Sequence, residues 1–330
     1  MRFGIIPNWS WPTDGDPREQ MEMTLEQART AFDNRYDTVW ASQHYVSEGF
    51  NHFQTVPLLA RMAEFAGEKN LGTSVYLLPL HHPLVAAEQF ATIDSMFDGR
   101  LDLGVSLGYK DAEFDSLDID KSDRVGRLIE GLRIMRRLWN EDDVSYSGKM
   151  FEVDGISIDP KPDDPNVLMG GNATKSVERA GRMGDGWIVS GRTTPDEAAD
   201  LLEHYERGLD QAGNANGFIS LNRETFVAET TEKAERIARQ GMKSRAKKWL
   251  ERGASDTAEQ FDDLDAYVDE MLRQRFVGSP EEVIDRIEEF EDSVGVDNVI
   301  CLYNWRKLPQ EEMCRSIELF SEEVIPHFQE

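Results

Sequence analysis

"LGTSVYLLPLHHPLVAAEQFATIDSMFDGRLDLGVSLGY", Leu71 to Tyr109, contains a strand, a helix and a second strand in succession. The apolar run 71–80 predicts a strand. The stretch 83–97 predicts a helix, with Pro83 near its first turn, where a missing N–H costs nothing. The run 101–108 predicts the next strand. This order makes the two strands parallel neighbours with buried faces. The same alternation recurs outward in both directions. Towards the N-terminus, strands are expected at 2–7 and 37–42, with helices near 16–34 and 54–69. Towards the C-terminus, a helix at 122–139 precedes strands at 166–171, 185–190, 220–229 and 296–303. Their helices fall at 174–183, 195–212 and 309–325.

Eight such units without a break favour a closed (β/α)8 TIM barrel over an open sheet. The chain has 330 residues, and a barrel of this kind takes roughly 250, or over 400 with insertions. One α/β domain over 1–330 is expected. Residues 142–165 alternate, carry two Gly turns and read as a small hairpin. The charged helical stretch at about 231–278 is too long for a crossover. It reads as a helical insertion before the last strand, placed to cover the barrel mouth.

Composition excludes several function classes. The net charge is -27, which repels nucleic acid and anionic membrane surfaces. Acidic and basic residues are interspersed, as in "SPEEVIDRIEEFEDS" (279–293), where Val283, Ile284, Ile287 and Phe290 mark an amphipathic helix. An excess this even predicts adaptation to high salt, a halophilic source. No run of ~18 apolar residues predicts a membrane span. The start, "MRFGIIPNWSWPTDGD", lacks a basic region and an apolar signal core, which predicts a cytoplasmic protein. Cys301 and Cys314 form neither a disulfide framework nor a metal spacing. His81 and His82 are neighbours that would not aim at one ion, and no metal site is expected.

Several positions carry chemistry. "TVWASQHYVSEGF" (38–50) runs apolar, then turns polar at Ser42-Gln43-His44. Barrel chemistry gathers where strands end. An imidazole there can give or take a proton near neutral pH. It can equally be a rim histidine satisfied by backbone or water. In "LMGGNATKSVERAG" (168–181) a strand ends in two glycines and a helix opens at once. Free N–H groups and the helix dipole attract phosphate there. Gly171 allows close backbone approach, and the Ser176 hydroxyl can join the N–H groups of Asn172 and Ala173. An ordinary helix start is the alternative. Ser106 and Gly108 follow strand four, and Ser190 follows strand six. Trp9 and Trp11 follow strand one and would wall an apolar substrate pocket or pack beneath a loop.

In order and spacing, the chain resembles the bacterial-luciferase-like family of flavin- or deazaflavin-dependent oxidoreductases. The matching pieces are "DTVWASQHY", Leu71–Tyr109 with "EFDSL" following, "DRVGRLIEGLRIMRRLW", "MGGNATKSVERAGRMGDGW", and "FVGSPEEVIDRIEEFEDSVGVDNVICLYN" with "SIELFSEEVIPHF". The resemblance implies a barrel with an insertion before the last strand. It implies a functional His44 near the flavin, a flavin phosphate at 171–176, and a cis peptide at Ser74-Val75 beneath the ring. Ser106 and Ser190 would face the ring or ribityl chain. Arg124 matches a phosphate-facing arginine, suited by its planar fork of donors. Two departures stand out. Luciferases proper carry Glu where Gln43 stands, which argues against light emission. FMN users often carry Arg where Leu107 stands. The implied activity is a monooxygenase using reduced FMN and oxygen on a small-molecule substrate, fed by a separate flavin reductase, as a homo-oligomer, a dimer. The alternatives are a 5-deazaflavin-dependent hydride-transfer oxidoreductase and a non-catalytic flavin-binding barrel. No nicotinamide fingerprint follows a strand.

Overall fold

Eight strands pair in parallel: β1 (Arg2–Ile6), β2 (Thr38–Ala41), β3 (Asn70–Tyr76), β4 (Leu101–Val105), β5 (Asn166–Gly170), β6 (Gly186–Val189), β7 (Ile219–Val227) and β8 (Asn298–Leu302). The sheet closes because β1 pairs with both β2 and β8, and β7 pairs with both β6 and β8. This computed structural model describes residues 1–47, 49–214, 217–251, 264–305 and 308–329, with side chains for all of these except 243–251.

The surrounding helices are α1 (Pro17–Phe32), α2 (Thr55–Ala66), α3 (Pro83–Asp94), α4 (Asp111–Ser116), α5 (Arg124–Asn140) and α6 (Thr174–Met183). They continue with α7 (Pro195–Ala212), α8 (Thr231–Glu251), α9 (Leu264–Arg273), α10 (Pro280–Val294) and α11 (Gln310–Leu319). Local sequence explains the ends. Pro83 opens α3, and α7 starts on a Thr194–Glu197 capping box, which satisfies two otherwise orphaned donors.

Several boundaries fall short of expectation; β4 ends at Val105 and α3 at Asp94, and two others have a clear cause or continuation. β3 ends at Tyr76, and Leu78–Leu80 forms a 3-10 turn instead. Pro79 cannot donate to a ladder. The closing α-helix ends at Leu319 and continues as a π turn over Phe320–Val324. The hairpin pairs Val144–Ser147 with Glu152–Ile156. Between β7 and α10, the insertion holds α8, α9 and a short strand, Phe276–Gly278, paired with the end of β7. The insertion is expected to cover the mouth over about 231–278; residues 252–263 lie outside the described residues, and from the described part Arg275 lines the cavity at the strand tips.

Strand side chains alternate between faces, so every second residue points inward. At the N-terminal end, Arg2 Nη2 lies 2.6 Å from Asp102 Oδ2, and Asn166 Nδ2 lies 2.7 Å from Asp102 Oδ1. Above this polar base, Trp40 fills the interior with no exposed surface. It fits because Gly4 and Gly72 flank it: a Cβ on either would come within 2.4 Å of the indole. Above Trp40 the inward positions become small and polar. They are Ser42, Ser74, Ser106, Ser190 and Asn222, all facing a cavity. Among the described residues, no helix is long and apolar enough to cross a membrane.

Candidate active site

The strand tips surround a cavity of about 1170 Å3. Small-molecule sites usually measure roughly 300–1000 Å3, so a cofactor and a substrate fit together. His44 lies on one wall. Its partner comes from α4, a short helix after β4. There, the adjacent Glu113 and Phe114 are both buried, and Phe114 clusters with Leu77 and Leu80. That packing fixes Glu113. Its Oε1 lies 2.8 Å from His44 Nδ1 and accepts from Tyr45 N at 2.9 Å, with Lys110 Nζ at 3.8 Å. Burial pushes the Glu113 carboxyl up, but the His44 bond and charge, the Tyr45 N–H and Lys110 outweigh it and hold it below the usual range. A carboxylate on Nδ1 sets the tautomer, and Nε2 is then the nitrogen available to a ligand. Tyr109 meets the imidazole edge-on at 5.9 Å, and Trp9 lies 6.1 Å away.

Gln43 braces the wall. Its Oε1 accepts from Leu77 N at 2.8 Å and lies 3.2 Å from His81 Nε2. His81 stacks on Tyr76 with ring centres 4.3 Å apart. Burial, reinforced by Arg127, lowers the His81 imidazole to about 4 from an ordinary 6.5. The unfolded chain therefore takes up a proton in a range where the folded protein does not. Stability is expected to fall as pH drops from 6.5 to about 4, by about 3 kcal/mol in all at ~1.4 kcal/mol per unit. Unfolding midpoints measured against pH check this. His81→Gln should flatten that limb, and an unchanged slope would remove His81 as its source.

The neighbouring strand β3 carries Ser74 and Val75, whose shared peptide bond is cis. Ser42 Oγ donates to Ser74 O at 2.6 Å, and Asn222 Nδ2 donates to Ser74 Oγ at 2.9 Å. Ser106, Ser190, Gly171 and Asn172 also face the cavity. Close approach favours glycine at both positions of the β5 end, more strongly at Gly171. A Cβ on Gly170 would lie 3.2 Å from Val75 Cγ1, and one on Gly171 would lie 2.7 Å from Ser176 Cβ.

Five expected site residues lie outside the cavity lining. Trp11 is turned beneath α1, where its Nε1 donates to Asn8 O and Thr24 Oγ1, each at 2.9 Å. Gly108 serves the backbone instead: it adopts φ +73° against Phe114, a conformation that favours glycine. Arg124 opens α5, with its charge near Asp111. Ala173 caps α6 without a side-chain bond and is exposed. Ser176 sits behind Gly171. Trp9 does line the cavity, edge-on to His52 at 3.9 Å.

Sequence reasoning missed Glu113, Tyr109, Asn222, Glu224 and Arg275. The last two form a buried ion pair that lines the cavity. Beside them Arg223 donates to Ser190 O, Asn222 O and Thr193 O, and lies over the Phe290 ring. Burial and the neighbouring Arg275 lower Arg223 to about 9. The motif piece "EFDSL" held Glu113, but nothing in it marked a role. Among the described residues, no cluster of three or more His, Cys, Asp or Glu would hold a metal.

A closed barrel with a histidine–carboxylate pair at its C-terminal mouth defines a (β/α)8-barrel enzyme site. The chain belongs to the luciferase-like monooxygenase family, whose model matches residues 1–297. It is 25% identical to an F420-dependent glucose-6-phosphate dehydrogenase of Segniliparus rotundus over 94% of each chain. It is also 25% identical to an FMNH2-dependent dimethylsulfone monooxygenase of Pseudomonas fluorescens, over 74% of this chain and 69% of that one. The crystal structure of monooxygenase RslO1 from Streptomyces bottropensis superposes with a TM-score of 0.82 at 27% identity, covering 99% of this chain and all of that one. Members of this family are flavin-dependent monooxygenases and oxidoreductases.

Proposed function

We propose that the protein is a monooxygenase using reduced FMN and O2 on a small organic substrate. The observation that carries this reading is the His44–Glu113 pair facing a cavity large enough for both cofactor and substrate. The cradle of Gly170 and Gly171, where a Cβ would crowd its neighbours, fits a flat ring and its chain. The phosphate would rest on the N–H groups that open α6, with the Ser176 hydroxyl close behind. Neither Leu107 nor Arg124 supplies a cation inside the cavity. Flavin supplies the redox chemistry when bound. The protein orients it, excludes water and moves a proton at His44 Nε2, while Glu113 steadies the charged imidazole. In this reading the protein works in the cytoplasm as a dimer, fed by a separate reductase.

The second reading is hydride transfer with a 5-deazaflavin. The same pair favours it, because an imidazole on a carboxylate can take a proton from a substrate hydroxyl. Titration with FMN and a deazaflavin, each oxidised and reduced, followed by oxygen consumption, separates the two. Oxygen uptake with reduced FMN supports the first. Tight deazaflavin binding without oxygen uptake replaces it with the second.

High-salt adaptation belongs to the same proposal. A net charge of -27 destabilises the compact state by self-repulsion. Salt shortens the Debye length from ~10 Å at about 0.1 M to ~3 Å at about 1 M. The melting temperature is expected to rise over that range. A flat or falling Tm in a thermal scan would remove this reading.

A further inference from the structure

The Glu224–Arg275 pair lines the cavity without taking part in the proton transfer proposed for His44 and Glu113. Glu224 points inward from β7, two residues beyond Asn222. Arg275 comes from the end of the insertion, between α9 and the short strand Phe276–Gly278. Both side chains are about nine-tenths buried or more, yet both line the cavity. Arg275 is fixed from two sides: Nε donates to Glu224 Oε2 and Nη1 donates to Met271 O. Its backbone oxygen also accepts from Arg286. Nη2 makes no hydrogen bond among the described residues and is not sealed from solvent. A rigid guanidinium therefore presents one donor nitrogen to the cavity, with its charge already matched by a carboxylate.

Among the described residues, the other charges lie elsewhere. His44 is matched by Glu113 on its own wall. Lys110, Arg192, Asp14 and Asp111 border the cavity at half-buried or exposed positions, with two charges of each sign. Arg223, although adjacent in sequence, turns to backbone carbonyls and does not line the cavity.

We propose that Glu224 sets the charge class of the substrate. Paired with Arg275, it makes this wall accept an uncharged molecule through a carbonyl or hydroxyl oxygen held by Arg275 Nη2. It rejects a carboxylate, sulfonate or phosphate, which would meet the Glu224 carboxylate on arrival. Specificity arises here from a built-in repulsion as much as from the attraction. The inference deepens the proposed function and rests on this cavity being the substrate site.

The test compares two planar probes of similar size, acetophenone and benzoate, by calorimetry at fixed ionic strength. The wild-type protein is expected to bind acetophenone tighter than benzoate by roughly tenfold or more. Glu224→Gln keeps an acceptor for Arg275 but uncovers its charge, and should reverse the preference. Glu224→Gln combined with Arg275→Gln should remove the gain for benzoate. Equal or tighter benzoate binding by the wild type overturns the proposal, even if no variant folds. An unchanged preference in folded Glu224→Gln overturns it too, as does failure of both probes to bind the wild type at roughly 10 mM. These measurements need neither flavin nor oxygen. An enzyme that fails the oxygen assay but keeps the charge preference would lose the monooxygenase reading alone.

Discussion

His44→Ala is expected to lower turnover by roughly 10²–10⁴-fold, the usual share of a positioned acid or base. Cofactor affinity should stay nearly unchanged, because the cradle proposed for the ring, Ser74, Val75, Gly170 and Gly171, comes from other strands. Glu113→Gln should produce a smaller loss. The amide still accepts from Tyr45 N, but it places no negative charge on His44 Nδ1. Steady-state rates paired with cofactor titration check both. Full activity in His44→Ala would make the imidazole a rim residue and leave the barrel as a binding protein. Loss of cofactor binding with activity would make it a ligand contact.

Trp40→Ala should have the largest effect on stability, about 3–5 kcal/mol for a buried tryptophan. The reason lies in its neighbours. Gly4 and Gly72 contribute no side chain that could move into the space, so the hole persists. Cost rises with the volume left empty. Urea unfolding of wild type and variant gives the shift in midpoint. A shift worth less than about 1 kcal/mol would mean that the barrel interior collapses around the gap. Because Ser42 lies two residues along the same strand face, a relaxed interior would also show as weaker cofactor binding.

Much of the barrel was legible because parallel strands are buried on both faces and read as nearly continuous apolar runs. The runs at 166–171 and 185–190 fall on β5 and β6 with a residue to spare. The same rule misled at 71–80. Leu77, Leu78 and Leu80 are as buried as strand residues, but they belong to a turn, and hydropathy cannot distinguish the two. At the site, His44 was visible because a scarce residue broke an apolar run. Glu113 was not, because it is one of 63 acidic residues in the chain and lies in a short segment with acidic residues on either side, Asp111 and Asp115. Only the turn of α4, which sets Glu113 beside buried Phe114, distinguishes it. Glu224 and Arg275 lie 51 positions apart, and tertiary packing alone pairs them. For Trp11 the sequence leaves two readings open, a pocket wall or packing beneath a loop, and the structure shows the packing. It is two residues from Trp9, but its indole is held by Asn8 O and Thr24 Oγ1, whereas Trp9 lines the cavity.

The polar base of Arg2, Asp102 and Asn166, with Trp40 above it, has a kinetic consequence. Among the described residues, it closes that end of the barrel and leaves the cavity to open at the strand tips. Two guests that share a room with one door form a queue: the deeper must arrive first and leave last. If cofactor and substrate share this cavity as proposed, the floor of the barrel, far from any reacting atom, predicts a compulsory order of binding, which initial-rate kinetics with both varied would test.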